Sequence, residues 1–188
     1  TPGTQFLPFP EQEFQLGEQV TSVEELAEEG ALFVIRCNAE DYQYNPNEDI
    51  NRLVKGHTYF HSPYGADETP NASQLVFLTP DANVENGYKI GWLNNGRYAV
   101  KREYVPSWYH WTEDILKAAT ITFAPCDTVE GAFVMSMEDN AYLISYDAIG
   151  KMSLVGNDDE SKANRARPNT YNWNIYKASI KGSAIASQ

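Results

Sequence analysis

Gly87-Tyr88-Lys89-Ile90-Gly91-Trp92, then Gly96-Arg97-Tyr98-Ala99-Val100, then Ala119-Thr120-Ile121-Thr122-Phe123-Ala124-Pro125: this run decides the fold, because the same order of events stands on either side of it. A glycine opens an apolar strand, a short second strand carries an aromatic, and a third strand is centred on Phe or Trp. Upstream the order reads Gly30-Ala31-Leu32-Phe33-Val34-Ile35, Thr58-Tyr59-Phe60-His61 and Gln74-Leu75-Val76-Phe77-Leu78-Thr79-Pro80. Downstream it reads Gly131-Ala132-Phe133-Val134-Met135-Ser136, Asn140-Ala141-Tyr142-Leu143-Ile144 and Tyr171-Asn172-Trp173-Asn174-Ile175-Tyr176. The match is in pattern, not in identity, and such a period comes first because it dictates how units share a core.

Short strands separated by Gly, Pro, Asn and Asp predict an all-β domain with almost no helix. Three units of about four strands each close efficiently around a pseudo-threefold axis, which buries one shared core and removes exposed sheet edges. The arrangement resembles a β-trefoil, the fold of ricin-type lectins and fascin-like domains. The likeness rests on the openings at Gly30, Gly87 and Gly131, the middle aromatics Tyr59, Tyr98 and Tyr142, and the closing Phe77, Phe123 and Trp173. It implies three pseudo-symmetric units over residues 21–178, with 1–20 an extended leader and 179–188 a tail or linker. Thr21 to Glu29 has a cap residue and early acids, which predicts one or two helical turns stopped at Gly30. The phrase from Thr21 to Ile35 also resembles the segment leading into lectin-like trefoils at the ends of secreted bacterial proteins. That resemblance implies a secreted or cell-surface address. The opening Thr1-Pro2-Gly3-Thr4 is read as the start of a trimmed product whose signal or lipid anchor is gone.

The 188 residues suit one domain, and a chain of this length buries about 70% of the surface its unfolded form exposes. Apolar residues at 42% and charged residues at 21% are a globular composition, and the aromatic share of 13% suits both strands and ligand-receiving surfaces. A formal charge of −12 argues against nucleic acid, whose phosphates need clustered Lys and Arg. No apolar run approaches the roughly 20 residues of a membrane helix, so no insertion by this chain is expected. Cys37 and Cys126 each end a strand, where a buried thiol is the default and a disulfide between them is the alternative.

Ricin-type lectins place a Gln, one spacer and a Trp near each closing strand, and this chain departs from that. Gln74 stands one residue too far from Phe77, Asn172 touches Trp173 directly, and the middle unit has no Gln before Phe123. The family's sugar-binding residues therefore do not carry across. The densest aromatic patch is Tyr104-Val105-Pro106-Ser107-Trp108-Tyr109-His110-Trp111, flanked by Glu103, Glu113 and Asp114. Flat rings stack on the C–H faces of sugars while carboxylates accept from hydroxyls, so Tyr104, Trp108, Tyr109, His110, Trp111, Glu113 and Asp114 are the candidate glycan site. The competing reading folds Trp108 and Trp111 back as a hydrophobic plug under the barrel. Tyr42, Tyr44, Tyr59, His61 and Tyr64 form a second aromatic cluster.

Catalytic and metal signals are thin. No Gly-x-Ser-x-Gly elbow serves His57, His61 or His110, and runs such as Glu138-Asp139 or Asp158-Asp159-Glu160 read as solvated faces. Asn45 to Asp49 and the Asp158 run lack the glycine and the closing Glu of a calcium loop, and His57 with His61 lacks a third ligand. Asn71-Ala72-Ser73 matches a glycosylation acceptor. The expectation is a noncatalytic carbohydrate-binding module without cofactor or metal, whose partner is a polysaccharide or a glycoprotein glycan. The alternative is a structural or protein-interaction domain of a larger surface protein.

Overall fold

The structure, a computed structural model, describes residues 13–38, 58–62, 65–101, 109–146, 152–163 and 170–181. Its strands among these residues are β1 (Phe14–Gln19), β2 (Leu32–Cys37), β3 (Tyr59–Ser62), β4 (Gly65–Asp67), β5 (Val76–Pro80), β6 (Gly87–Trp92) and β7 (Arg97–Lys101). There follow β8 (Tyr109–Thr112), β9 (Ile121–Pro125), β10 (Phe133–Met137), β11 (Tyr142–Tyr146), β12 (Met152–Gly156), the short helix α1 (Asp159–Ala163) and β13 (Trp173–Ile180). Antiparallel pairing runs β2–β5–β6–β9–β10–β13 and returns from β13 to β2, which is a closed six-stranded barrel. The two inner strands of each unit form a hairpin, β3 with β4, β7 with β8 and β11 with β12. The fold is all-β and a trefoil.

Register fixes which residues are equivalent. Phe33 pairs with Val76, Tyr88 with Ile121 and Phe133 with Trp173, so one aromatic faces one closing residue in every unit, and all six are buried. Each such side chain taken from water contributes roughly 1.5–3 kcal/mol. The closing position is therefore Val76, Ile121 and Trp173. Phe77 is one residue out of phase with it, because successive strand residues point to opposite faces. Its ring meets Tyr98 edge-on at 5.7 Å and lies where a side chain on Gly91 would stand.

The middle strands need the same correction in part: the core takes Phe60, Ala99 and Ile144, and of the middle aromatics Tyr98 is buried against Phe77 while Tyr59 and Tyr142 are half-buried. The indoles of Trp92 and Trp173 donate to the carbonyls of Phe60 (3.2 Å) and Ile144 (2.9 Å), which satisfies two buried polar groups.

Each unit opens on a left-handed residue, Gly30 at φ 76°, Asn86 at 55° and Gly131 at 77°. The residue after each donates three back, from Ala31 to Glu28, Gly87 to Val84 and Ala132 to Val129. The equivalent of Gly30 and Gly131 is thus Asn86, not Gly87. Gly87 is needed for a different reason, since a side chain there would collide with Val84 and Thr120.

The bounds of the domain also shift. β1 lies within the segment 1–20 set outside the trefoil, and it pairs Phe14 with Ile180 and Gln19 with Tyr176 along the stretch of β13 beyond its contact with β10. Its backbone bonds hold it there together with Phe14, which packs against the cluster containing Val34 and Ile180, while Gln15 to Glu18 are exposed and give little strand signal. The predicted turn is a 3-10 helix, Val23–Ala27. Glu25 accepts from the backbone N–H of Thr21 (2.8 Å) and Ser22 (3.0 Å), and Lys177 on β13 stands 3.2 Å from it.

Candidate functional site

The aromatic segment divides. Tyr104 and Trp108 lie outside the described residues, and Tyr109, His110 and Trp111 belong to strand β8, so the patch is in part a hairpin arm. Ala99 pairs with Trp111 as Ile144 pairs with Leu154 and Phe60 with Ala66. Trp111 therefore holds the position that Ala66 and Leu154 fill in the other units, on the inward face of its hairpin. Its ring is half-buried, with the Arg97 guanidinium 4.1 Å from its centroid. Glu113 and Asp114 are exposed, and Asp114 accepts from the Leu116 N–H at 3.0 Å to start the next 3-10 turn, Ile115–Lys117.

Of the second cluster, Tyr42, Tyr44 and Tyr64 lie outside the described residues, as does His57. Tyr59 has the Arg36 guanidinium 5.2 Å from its centroid, and His61 stands 3.8 Å from Asp67. Asp158 accepts from the Ser161 N–H (2.8 Å) and hydroxyl (2.7 Å), which lowers its pKa and makes it the local cap of α1. Among the described residues no group of three or more His, Cys, Asp or Glu is placed to hold a metal. Cys37 is buried and Cys126 half-buried, both as free thiols. Asn71 of the acceptor motif donates to Asp67 at 2.9 Å, and its oxygen accepts from Ser73, so it serves as the cap of the 3-10 turn Ala72–Gln74.

Among the described residues a cleft of about 940 Å³ lies where the second unit meets the third. The β5–β6 turn supplies Asn83, Glu85 and Asn86 as one wall, β9 and the residue before it supply Thr122, Ala124 and Thr120, and the β10–β11 turn supplies Glu138, Asp139 and Asn140 as the other wall. Lys117 and Val100 stand on the rim.

Both walls are pinned from below. The Asp81 carboxylate accepts from the Thr120 hydroxyl at 2.7 Å and the Asn83 N–H at 3.0 Å, and these bonds hold its pKa below the ordinary carboxylate value. Opposite, the Ala141 N–H returns to the Glu138 carbonyl at 3.1 Å across Asp139 and Asn140, both left-handed at φ 55° and 65° as a primed hairpin turn requires. Glu138 is left-handed too, at φ 55°, a conformation that costs a non-glycine residue roughly 1–2 kcal/mol.

The cleft thus presents amides, hydroxyls and carboxylates on rigid turns, a set suited to a ligand rich in hydroxyls. Its walls stand some fifty positions apart in the chain, so no contiguous motif marks it. The available signal was the clustering of Asn and acidic residues in Asn83-Val84-Glu85-Asn86 and Glu138-Asp139-Asn140. The aromatic strand is its neighbour, since Val100 on the rim is the register partner of His110.

No protein-family model matches the chain, and no curated protein matches it. Among solved structures, one titled "BEL beta-trefoil apo crystal form 3" is similar with a TM-score of 0.51 at 14% sequence identity, over 80% of this chain and 94% of that one. A likeness at this identity speaks for the fold alone.

Proposed function

We propose that this chain is a noncatalytic carbohydrate-binding module of a secreted or cell-surface protein, and that a polysaccharide or glycoprotein glycan docks in the cleft between the second and third units. The observation that carries the reading is the wall chemistry. Asn83, Asn86, Asn140, Thr120 and Thr122 offer donors and acceptors, and Glu85, Glu138 and Asp139 offer acceptors, on turns already held in place. Preorganised polar groups of this kind bind without a large ordering cost. Tyr104, Trp108, Tyr109 and His110 belong to the segment running into β8, whose backbone is bonded to the cleft rim at Val100, and they are proposed as the stacking wall. Fold likeness enters only as background, since one fold hosts many functions.

A glycan array followed by affinity electrophoresis tests this. Retention by at least one polysaccharide, weakened by Glu138→Ala and by Trp108→Ala in variants with unchanged circular dichroism, is expected. Silence across the array with folded protein sinks it.

The second reading, a protein-interaction domain, is favoured by β1, an exposed strand paired only with β13 among the described residues. Such an edge accepts a further strand. A partner or second copy whose binding protects the β1 amides from hydrogen exchange, without glycan binding, supports it.

A further inference from the structure

The main cleft does not end at its third-unit wall. A second depression of about 290 Å³ lies beyond it, lined by Thr128, Asn157, Lys162 and Tyr171 among others, and the two share Ala124 and Asn140 as a common boundary. Asn140 is exposed, and it is fixed rather than free to swing. Its side-chain oxygen accepts from the Ser136 hydroxyl at 2.7 Å, and its carbonyl accepts from the Asn157 amide at 2.9 Å. With those acceptors engaged, its Nδ2 has no hydrogen-bond partner among the described residues, and it offers two N–H donors at the saddle between the depressions.

We infer that the ligand is a linear oligosaccharide chain lying across Asn140, with successive residues in both depressions, and not a single terminal sugar. This rests on the glycan reading above and adds its length and path. A volume of about 940 Å³ falls within the range of roughly 300–1,000 Å³ that holds one compact small molecule, so a lone sugar would leave the adjoining depression unused. The chemistry is continuous along the path: Asn83 and Thr120 at one end, Asn140 at the middle, Asn157 and Lys162 at the other. A chain that gains contacts on both sides of a rigid donor is held better than either half, while a monosaccharide gains from one side only.

The test is a length series from one to six residues of cello-, manno- and chito-oligosaccharides, measured by calorimetry on the full chain beside the glycan array. In any series that binds, affinity is expected to rise about tenfold between the mono- and tetrasaccharide, which is about 1.4 kcal/mol. Amide shifts are expected on both sides of Asn140. Asn140→Asp keeps the left-handed backbone and the acceptor for Ser136 but removes both donors, and it is expected to flatten the length dependence. Lys162→Ala, on the far side, is expected to do the same if Asn140→Asp folds poorly. Equal affinity for mono- and hexasaccharide, or shifts confined to one depression, overturns the inference and leaves the glycan reading standing. Silence in every series and on the array removes both.

Discussion

Thr120 donates its hydroxyl to Asp81 across 2.7 Å, and one unit further round the barrel the Cys126 thiol meets the Asn172 side-chain oxygen at 3.3 Å in the equivalent place. Asp81 and Cys126 each follow the proline that ends a barrel strand, and Thr120 and Asn172 each precede the next closing strand. The same joint is thus built from different chemistry. In Thr120→Val the Asp81 carboxyl is expected to titrate closer to its ordinary 3.8, since its largest stabilising bond is gone. Carbon-13 NMR of the Asp side chains against pH reads this, and an unchanged titration refutes it.

Acid is expected to loosen the joint between the first 3-10 turn and β13. The Thr21 N–H, then Lys177 and the Ser22 N–H, lower the Glu25 pKa from 4.5 to about 2. A depressed folded pKa means the stabilisation is complete above about 4.5 and is lost as pH falls toward about 2. Glu25→Gln is expected to give a shallower fall of the urea midpoint over that window. The group is half-buried and still meets solvent, so the difference is small, and a parallel fall in both proteins counts against the role assigned to it.

Gly30 and Gly131 separate backbone strain from lost contacts. At Gly30 a side chain would meet nothing within 4 Å, so Gly30→Ala is expected to cost only the left-handed penalty of roughly 1–2 kcal/mol. At Gly131 the added carbon would press on the Gln19 amide, which now donates to the Gly131 carbonyl at 3.0 Å. Gly131→Ala is therefore expected to be the more damaging of the two in urea unfolding. The reverse order would mean that the Gln19 bond contributes nothing.

The thiols are expected to react in two phases. Cys126 is half-buried and reachable by an aromatic disulfide reagent in the folded protein, whereas Cys37 is fully buried, with Thr170 as its hydrogen-bond partner. One equivalent reacts at once and the second only in denaturant. No release of thiol in either state would mean a disulfide joins them.

The triplication was readable because barrel strands bury one face and repeat their apolar residues. Gly30 and Gly131 were readable because left-handed positions restrict residue choice. Phase was not. Phe77 looks like a core aromatic in sequence, but it lies on the outer face, over the space Gly91 leaves. The returning arm of each inner hairpin carries little signal in the sequence, for separate reasons. β4 has three residues, β12 is followed at once by the acidic run at Asp158, and β8 stands inside an unbroken aromatic patch. The cleft was illegible because Asn86 and Asn140 acquire a common purpose only when two units are brought together.

β1 and the end of β13 lie side by side, and the Lys181 N–H reaches the Glu13 carbonyl at 2.8 Å. The first and last strands among the described residues therefore run as neighbours, whose spacing is about 4.8 Å. A host protein that receives residues 13–181 as a graft in a single surface loop need not part the loop's own ends.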